Sequence, residues 1–562
     1  MKKILECVPN ISEGRDAVKI QTIASVVDDV EGVALLDIDP GKATNRTVIT
    51  FAGDPDAVIE AAFRLVKKAS ELIDMSRHSG AHPRMGATDV CPLVPVAHME
   101  MEEVQAYARK LGKRIGEELG IPIYLYENAA LTEERKNLAN CRSGEYEGLE
   151  RKFQDPNWQP DHGKADWTLA KRTGATAVGA RDFLVAYNVN LNTTSTRRAN
   201  AIAFDIRERG RVMREGNSLT GAIVKDEQGN PRHVPGKLKS VKGIGWYIEE
   251  YGIAQISYNL TNISIASMHE TFEETCISAE SRGLRVTGSE LVGLVPLQAM
   301  LDAGIHFLRK QKRSIGIPES EIIKIAVKSL GLDELAPFDP SQKIIEYKLR
   351  EGKSDPLLEL SLRDFADETA SESPAPGGGS ISAYAGALGV SLGTMVANLS
   401  AHKRGWDDRW NEFSDWAERG MSLQKRLLEL VDEDTRAFNR IMAAFGLPKS
   451  SEEEKKIRAE AIRSATKEAI EVPFSVMQIC LESMEVMHKM AEIGNPNSVT
   501  DAAVGALCAR TGVEGAFLNV RVNCKDFDDA SYVVQITEKG EKILGEAKKM
   551  EAEILSICDA KL

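Results

Sequence analysis

The chain has 562 residues, 43% hydrophobic and 28% charged, with a net charge of −13 at pH 7. That length exceeds one core and implies several domains, and the acidic balance excludes long-range attraction to DNA or RNA, so no nucleic-acid partner is expected. The eight cysteines are scattered with no CxxC pair. They point away from a disulfide framework or a thiolate zinc site and toward a reducing, cytoplasmic setting. The N-terminal "MKKILECVPNISEG" holds no apolar run of signal length.

The first third alternates strand and helix signals. "KILECVPN", "GVALLDID" and "NRTVITFAG" read as strands, and "DPDAVIEAAFRLVKKASELIDM" as an amphipathic helix with Asp54 or Asp56 near its start. "MEEVQAYARKLGKRIGEEL" is a second such helix, ending at Gly120 before the strand "IPIYLYE". A second α/β stretch follows, with strands "ARDFLVAYNVNL" and "AQISYNLTN" and a helix "HETFEETCISAESRG". "DVCPLVPV" at 89–96 echoes "ELVGLVPL" at 290–297, a faint internal repeat that implies two related halves facing each other. Residues 213–236 are polar and Gly-rich, a long surface loop or hairpin.

Composition changes near 348, where "KLREGKSDP" reads as a charged linker. Beyond it strand signals fade. Helical periodicity runs over 381–400, 409–444, 452–491, 500–520 and 528–557, which predicts a helical bundle. The fold class is therefore multidomain: two α/β subdomains, 1–181 and 182–347, a linker at 348–356, and an all-α domain at 357–562. "ISAYAGALGVSLGTMVANL" (381–399) carries no charge and contains GxxxG, so its length alone fits a membrane span. Its Ser, Thr, Tyr and Asn residues favour a buried, tightly packed helix instead, and no membrane partner is expected.

Residues 76–90, "SRHSGAHPRMGATDV", gather two histidines and two arginines. His78 and His82 have a familiar zinc spacing, but Gly80 and Pro83 break the helix that would give it meaning, so no metal is expected. Two readings remain from the residues. One is a structural surface turn. The other is a proton-handling loop, because histidine shuttles protons near neutral pH and arginine binds carboxylates through two bonds.

In the C-terminal part, "PAPGGGS" (374–380) precedes a helix with Ser380 as its expected N-cap. Three glycines allow close backbone approach, and free helix N–H groups favour an anion. "LVDEDTRAF" places Asp432, Glu433 and Asp434 together. Such a run is either a solvated face or a source of one buried carboxylate; Asp432 and Asp434, two apart, do not share a helix face, so only one should enter a site. Asn519 and Asn523 in "GAFLNVRVN" lie one turn apart, as pocket lining or as inter-helix hydrogen bonds.

"ECVPNISEGRD", "LLDIDPG", "TNRTV", "DMSRHSGAHPRMGATDVCPLVPV" and "SVKGIGWYIEEY" together resemble the formiminotransferase of histidine breakdown. "APGGGSISAYAGALG" with "LVDEDTRAF" resembles the cyclodeaminase usually fused behind it, so the chain is similar nearly end to end to the formiminotransferase-cyclodeaminase family. The resemblance implies transfer of the formimino group of formiminoglutamate to N5 of tetrahydrofolate, then closure to methenyltetrahydrofolate with loss of ammonia. It implies His82 and Asp434 as the catalytic residues, with Asp39 in support; Arg77 or Arg84 is our assignment for the glutamate carboxylates. Folate contacts are implied at Gly163 to Gly174, including Lys164 and Thr173, and at Gly236, Lys237 and Leu238. The cyclodeaminase pocket is expected at Gly377, Gly378, Gly379, Ser380 and Asn519. Tetrahydrofolate, possibly polyglutamylated, is the implied co-substrate, and a ring-like homo-oligomer the implied assembly. "FLRKQKR" (307–313) is either a site for the polyglutamate tail or a solvated basic face. Because 163–174 departs from the vertebrate pattern, the alternative is a folate-binding protein with one or both sites inactive.

Overall fold

The computed structural model describes residues 3–42, 44–80, 83–216, 220–349, 357–525 and 527–562. Contacts divide the chain into two compact units, Met1–Ala303 with Leu330–Gly352, and Gly304–Ser329 with Lys353–Leu562. The segment 304–329, which the sequence division assigned to the second α/β subdomain, thus clusters with the helical unit. Gly316 explains how: a Cβ there would lie 2.2 Å from the Ala417 backbone, and its carbonyl accepts from Asn398 Nδ2 at 2.7 Å.

The first unit is built on two main sheets. Its strands are β1 (Ile4–Cys7), β2 (Asn10–Ile11), β3 (Val33–Gly41), β4 (Arg46–Gly53), β5 (Thr88–Ala97), β6 (Ile123–Glu127), β7 (Thr176–Ala180), β8 (Val185–Leu191), β9 (Arg211–Val212), β10 (His233–Val234), β11 (Val241–Ile248), β12 (Ile253–Leu260) and β13 (Val286–Val292). The seven-stranded sheet is mixed: β1 and β2 both pair antiparallel with β4 and β5, β3 extends it beyond β4, and β5, β7 and β6 run parallel. The second sheet is antiparallel throughout, in the order β11-β12-β8-β13.

Helix Pro55–Leu72 starts as its sequence predicts. Asp54 accepts from Asp56 N at 3.2 Å, Pro55 takes the first position, and Val58, Ala62, Leu65, Val66 and Ala69 are buried on its inner face. Residues 213–236 join the β9–β10 hairpin, with 217–219 outside the described residues. The echo between 89–96 and 290–297 does not extend to structure. The first stretch lies wholly within β5, whereas the second leaves β13 at Val292 and enters the helix Leu297–Lys310.

The helical unit contains the five long helices Gly378–Ala401, Trp410–Phe445, Glu452–Ile493, Val499–Cys524 and Ala530–Asp559. Each covers one of the predicted periodic segments. The helix Gly378–Ala401 has a mean hydropathy of 1.3 and is 61% buried over its most apolar window. Its glycines serve close packing: a Cβ on Gly389 would lie 2.6 Å from the Gly505 carbonyl oxygen. Ser391, Thr394 and Ser400 return their hydroxyls to the carbonyl four residues back, which satisfies them within the packed helix.

Candidate active sites

Asn45 lies in the turn between β3 and β4, in the left-handed region at φ 51°. Its side chain accepts from Gly14 N at 3.0 Å and donates to Ser79 O at 2.9 Å. Its carbonyl is 2.9 Å from His78 Nε2, while Arg84 Nε is 3.3 Å from His78 Nδ1. A carbonyl only accepts and a guanidinium only donates, so His78 carries its proton on Nε2 and is neutral. Burial holds its pKa below the ordinary histidine value. His78 is therefore a strut. His82 and Ala81 lie outside the described residues.

Arg84 is only 7% exposed. Its guanidinium meets Glu147 through Nη2–Oε1 at 2.6 Å and Nη1–Oε2 at 2.8 Å, and Glu145 at 3.2 Å. The assignment of Arg84 to a substrate carboxylate thus falls on a group already held by two carboxylates. Arg77 is exposed, 3.9 Å from Asp74. Asp39 is an exposed residue of β3, opposite Val48.

Of the two segments expected to contact folate, the first ends just before β7 and the second just before β11. Gly163, at φ 81°, opens the first, and Asp166 caps its helix Trp167–Thr173. The end of this segment runs beside the residues after the histidine loop: Ala87 N donates to Thr173 O at 2.7 Å, Ala175 N to Met85 O at 2.9 Å, and Gly86 bridges Gly174. Lys164 lies near the start of the segment. Gly236, Lys237 and Leu238 are held through backbone bonds to Glu208, Asp205 and Ile206, and the Lys237 ammonium pairs with Glu274.

The helical unit holds a cavity of about 210 Å³ lined by Gly377, Gly378, Asp434, Thr435, Asn519 and Asn523, among others. Four helices contribute to its wall. The helix Gly378–Ala401 begins two residues before Ser380, so Gly377 is its N-cap and Ser380 a first-turn residue, not the cap the sequence implies. The reason is Asp434: its Oδ2 accepts both Ser380 N at 2.9 Å and Ser380 Oγ at 3.0 Å. The anion expected at this helix start is a side chain of the same unit. A Cβ on Gly379 would lie 2.1 Å from Asp434 Oδ1, which fixes glycine there. Burial raises the Asp434 carboxyl above its ordinary range, and the Ser380 bonds draw it partly back. Asp432 faces elsewhere and accepts from Leu357 N at 3.4 Å. Asn519 donates to Gly515 O at 2.9 Å, and Asn523 to Ala469 O at 2.7 Å.

A model of the formiminotransferase domain, N-terminal subdomain, matches residues 4–181, one of the formiminotransferase domain matches 186–350, and one of formiminotransferase-cyclodeaminase matches 361–542. The formimidoyltransferase-cyclodeaminase of Mus musculus is 40% identical over 562 residues, all of both chains. This chain belongs to the formiminotransferase-cyclodeaminase family. The Gallus gallus member is 42% identical over 560 residues, 100% of this chain and 99% of that one. A glutamate formimidoyltransferase of Streptococcus pyogenes serotype M1 is 41% identical over 309 residues, 55% of this chain and 94% of its own length. The chain is a bifunctional enzyme of folate and histidine metabolism, with glutamate formimidoyltransferase and formimidoyltetrahydrofolate cyclodeaminase activities.

In this formiminotransferase-cyclodeaminase, sequence reasoning brought Gly377, Gly378, Asp434 and Asn519 to one cavity. It missed Glu147 and Thr435. Glu147 stands in "RSGEYEG", whose acidic pair beside a tyrosine was a signal of charge complementary to Arg84. Thr435 is adjacent to the chosen aspartate, and a pocket wall on a helix needs neighbours one, three, four and seven apart.

Proposed function

We propose that His82 and Asp434 are the proton-moving groups of the two activities. In transfer, N5 of tetrahydrofolate attacks the formimino carbon and loses a proton, and the glutamate nitrogen leaves with one. One imidazole in reach of both nitrogens serves each step. Support comes from the loop's flanks: His78 is tied to Asn45, and Arg84 to Glu147, so the segment between them starts and ends on fixed points. Further support is that Thr173 and Ala175, at the end of the segment expected to contact folate, bond to Ala87 and Met85 just after that loop.

In ring closure, N10 attacks the N5-formimino carbon. With the formimino group bound as its protonated amidinium, Asp434 takes the N10 proton and returns it to the departing nitrogen, which leaves as ammonia, and the cationic methenyl bridge remains. The observation that carries this reading is the Asp434 carboxylate in the cavity wall, raised in pKa by burial, which suits a group that must both accept and release a proton. Polyglutamylated folate fits the basic stretch at 307–313. Exposed apolar side chains on the helices, Leu388, Leu518 and Val522 among them, support a homo-oligomer. Eight free cysteines support a cytoplasmic location.

The test separates the sites. His82→Ala should abolish transfer and leave closure of supplied 5-formiminotetrahydrofolate intact; Asp434→Asn should do the reverse. A folded variant that loses both activities, or neither, overturns the assignment.

A further inference from the structure

Thr435 lines the cyclodeaminase cavity one residue after Asp434. Its hydroxyl oxygen is buried and has no hydrogen-bond partner among the described residues. Several other helical hydroxyls of this unit are treated differently. Ser382, Ser391, Thr394, Ser400 and Thr511 each donate to the carbonyl four residues back. A buried hydroxyl left unmatched is costly, and valine of the same shape would avoid that cost. Groups kept at such a cost mark sites where a ligand supplies the missing bond.

Several other polar atoms of the wall are engaged. Asp434 Oδ2 holds Ser380, and the Asn519 and Asn523 amides donate to Gly515 and Ala469. Thr435 is the wall hydroxyl next to the carboxylate that must reach the departing nitrogen. On protonation that nitrogen carries more N–H groups than one carboxylate oxygen can accept, and a hydroxyl beside Asp434 can share them.

We propose that Thr435 is a further catalytic residue of the cyclodeaminase: its hydroxyl oxygen accepts a hydrogen bond from the formimino nitrogen and holds it as it leaves as ammonia. The inference rests on the Asp434 reading. No bond is made or broken at Thr435; the N10 proton still travels through Asp434, and the C–N bond to ammonia breaks as described.

The test compares Thr435→Val and Thr435→Ser for closure of supplied 5-formiminotetrahydrofolate, with transfer and thermal melting as controls. Valine should lower kcat for closure by about tenfold or more, with transfer unchanged and Tm not lowered. Serine should restore kcat to within about threefold of the parent. An unchanged kcat in the valine variant overturns the proposal, and so does a rise in KM alone, which would mean binding of the folate body and not of the leaving group. Serine as poor as valine, in variants that melt normally, overturns it too. Asp434→Asn is assayed beside them: if that variant still closes the ring, the site reading itself fails; if it is dead while valine is active, only the Thr435 inference fails.

Discussion

Glu147 holds Arg84 through both carboxylate oxygens, at 2.6 and 2.8 Å, across a sequence separation that no local pattern could bridge. Arg84 in turn donates to His78 Nδ1 and to the His78 carbonyl, each at 3.3 Å. The carboxylate thereby keeps an arginine pointed away from open solvent and fixes the neutral form of a histidine in the transferase loop. Glu147→Gln preserves shape but removes the charge and one acceptor. Transfer should fall between about tenfold and 100-fold, the scale of a small misplacement at a reacting centre. Closure should be unchanged, because it is chemistry of the other unit. Parallel assays of both activities check this; transfer at the parental rate would show that the clamp has no bearing on the loop.

Gly379 and Asp434 make the corresponding contact in the helical unit. A methyl group at 379 would overlap the carboxylate, 2.1 Å from Oδ1, and the backbone of a well-packed helix has little room to yield. In Gly379→Ala the Asp434 side chain must turn out of its bonds to Ser380. Closure should drop about 100-fold or more, while transfer persists, so formiminotetrahydrofolate accumulates without ammonia. Retained closure would mean that the carboxylate need not stand where Ser380 holds it.

The bundle was legible because its signals are local. Five periodic segments became five helices, and Ser451 and Asp529 cap two of them as their residue types dictate. The cyclodeaminase wall was legible for a similar reason, since the glycine turn and Asp434 are each distinctive in short windows. The transferase clamp was not. Asn45 stood in plain view within "TNRTV", yet its role depends on Gly14 and Ser79, which arrive from two other loops. Ser380 was misjudged as a cap because the residue that completes the helix start comes from another helix altogether.

Glu6, in the first sequence block, is 3% exposed on β1. Burial pushes its carboxyl from the ordinary 4.5 up to about 7, with Arg181 opposing. A carboxyl that is harder to ionise when folded stabilises the fold below its unfolded pKa, and that contribution is lost as pH rises through the folded value. The loss between about pH 5 and pH 8 is on the order of 3 kcal/mol. Glu6→Gln cannot ionise, so its stability should decline less over that interval than the parent's. Chemical unfolding at a series of pH values measures the two slopes; parallel slopes would place the ionisation elsewhere.

Ser380 makes a separate prediction about the pH dependence of closure. Burial raises the Asp434 carboxyl, and the Ser380 hydroxyl and N–H, which both donate to its charged form, lower it. Ser380→Ala removes the hydroxyl and keeps the N–H, so the carboxylate stays in place while its pKa rises further. If Asp434 must be ionised to take the N10 proton, the acid limb of kcat for closure moves to higher pH in the variant, and the rate well above that limb stays within about threefold of the parent. A limb that stays fixed while the upper plateau collapses would assign Ser380 to holding Asp434 in position. A limb that moves with the plateau intact assigns it to setting the carboxylate's proton affinity, which is the role its two bonds to a single oxygen imply.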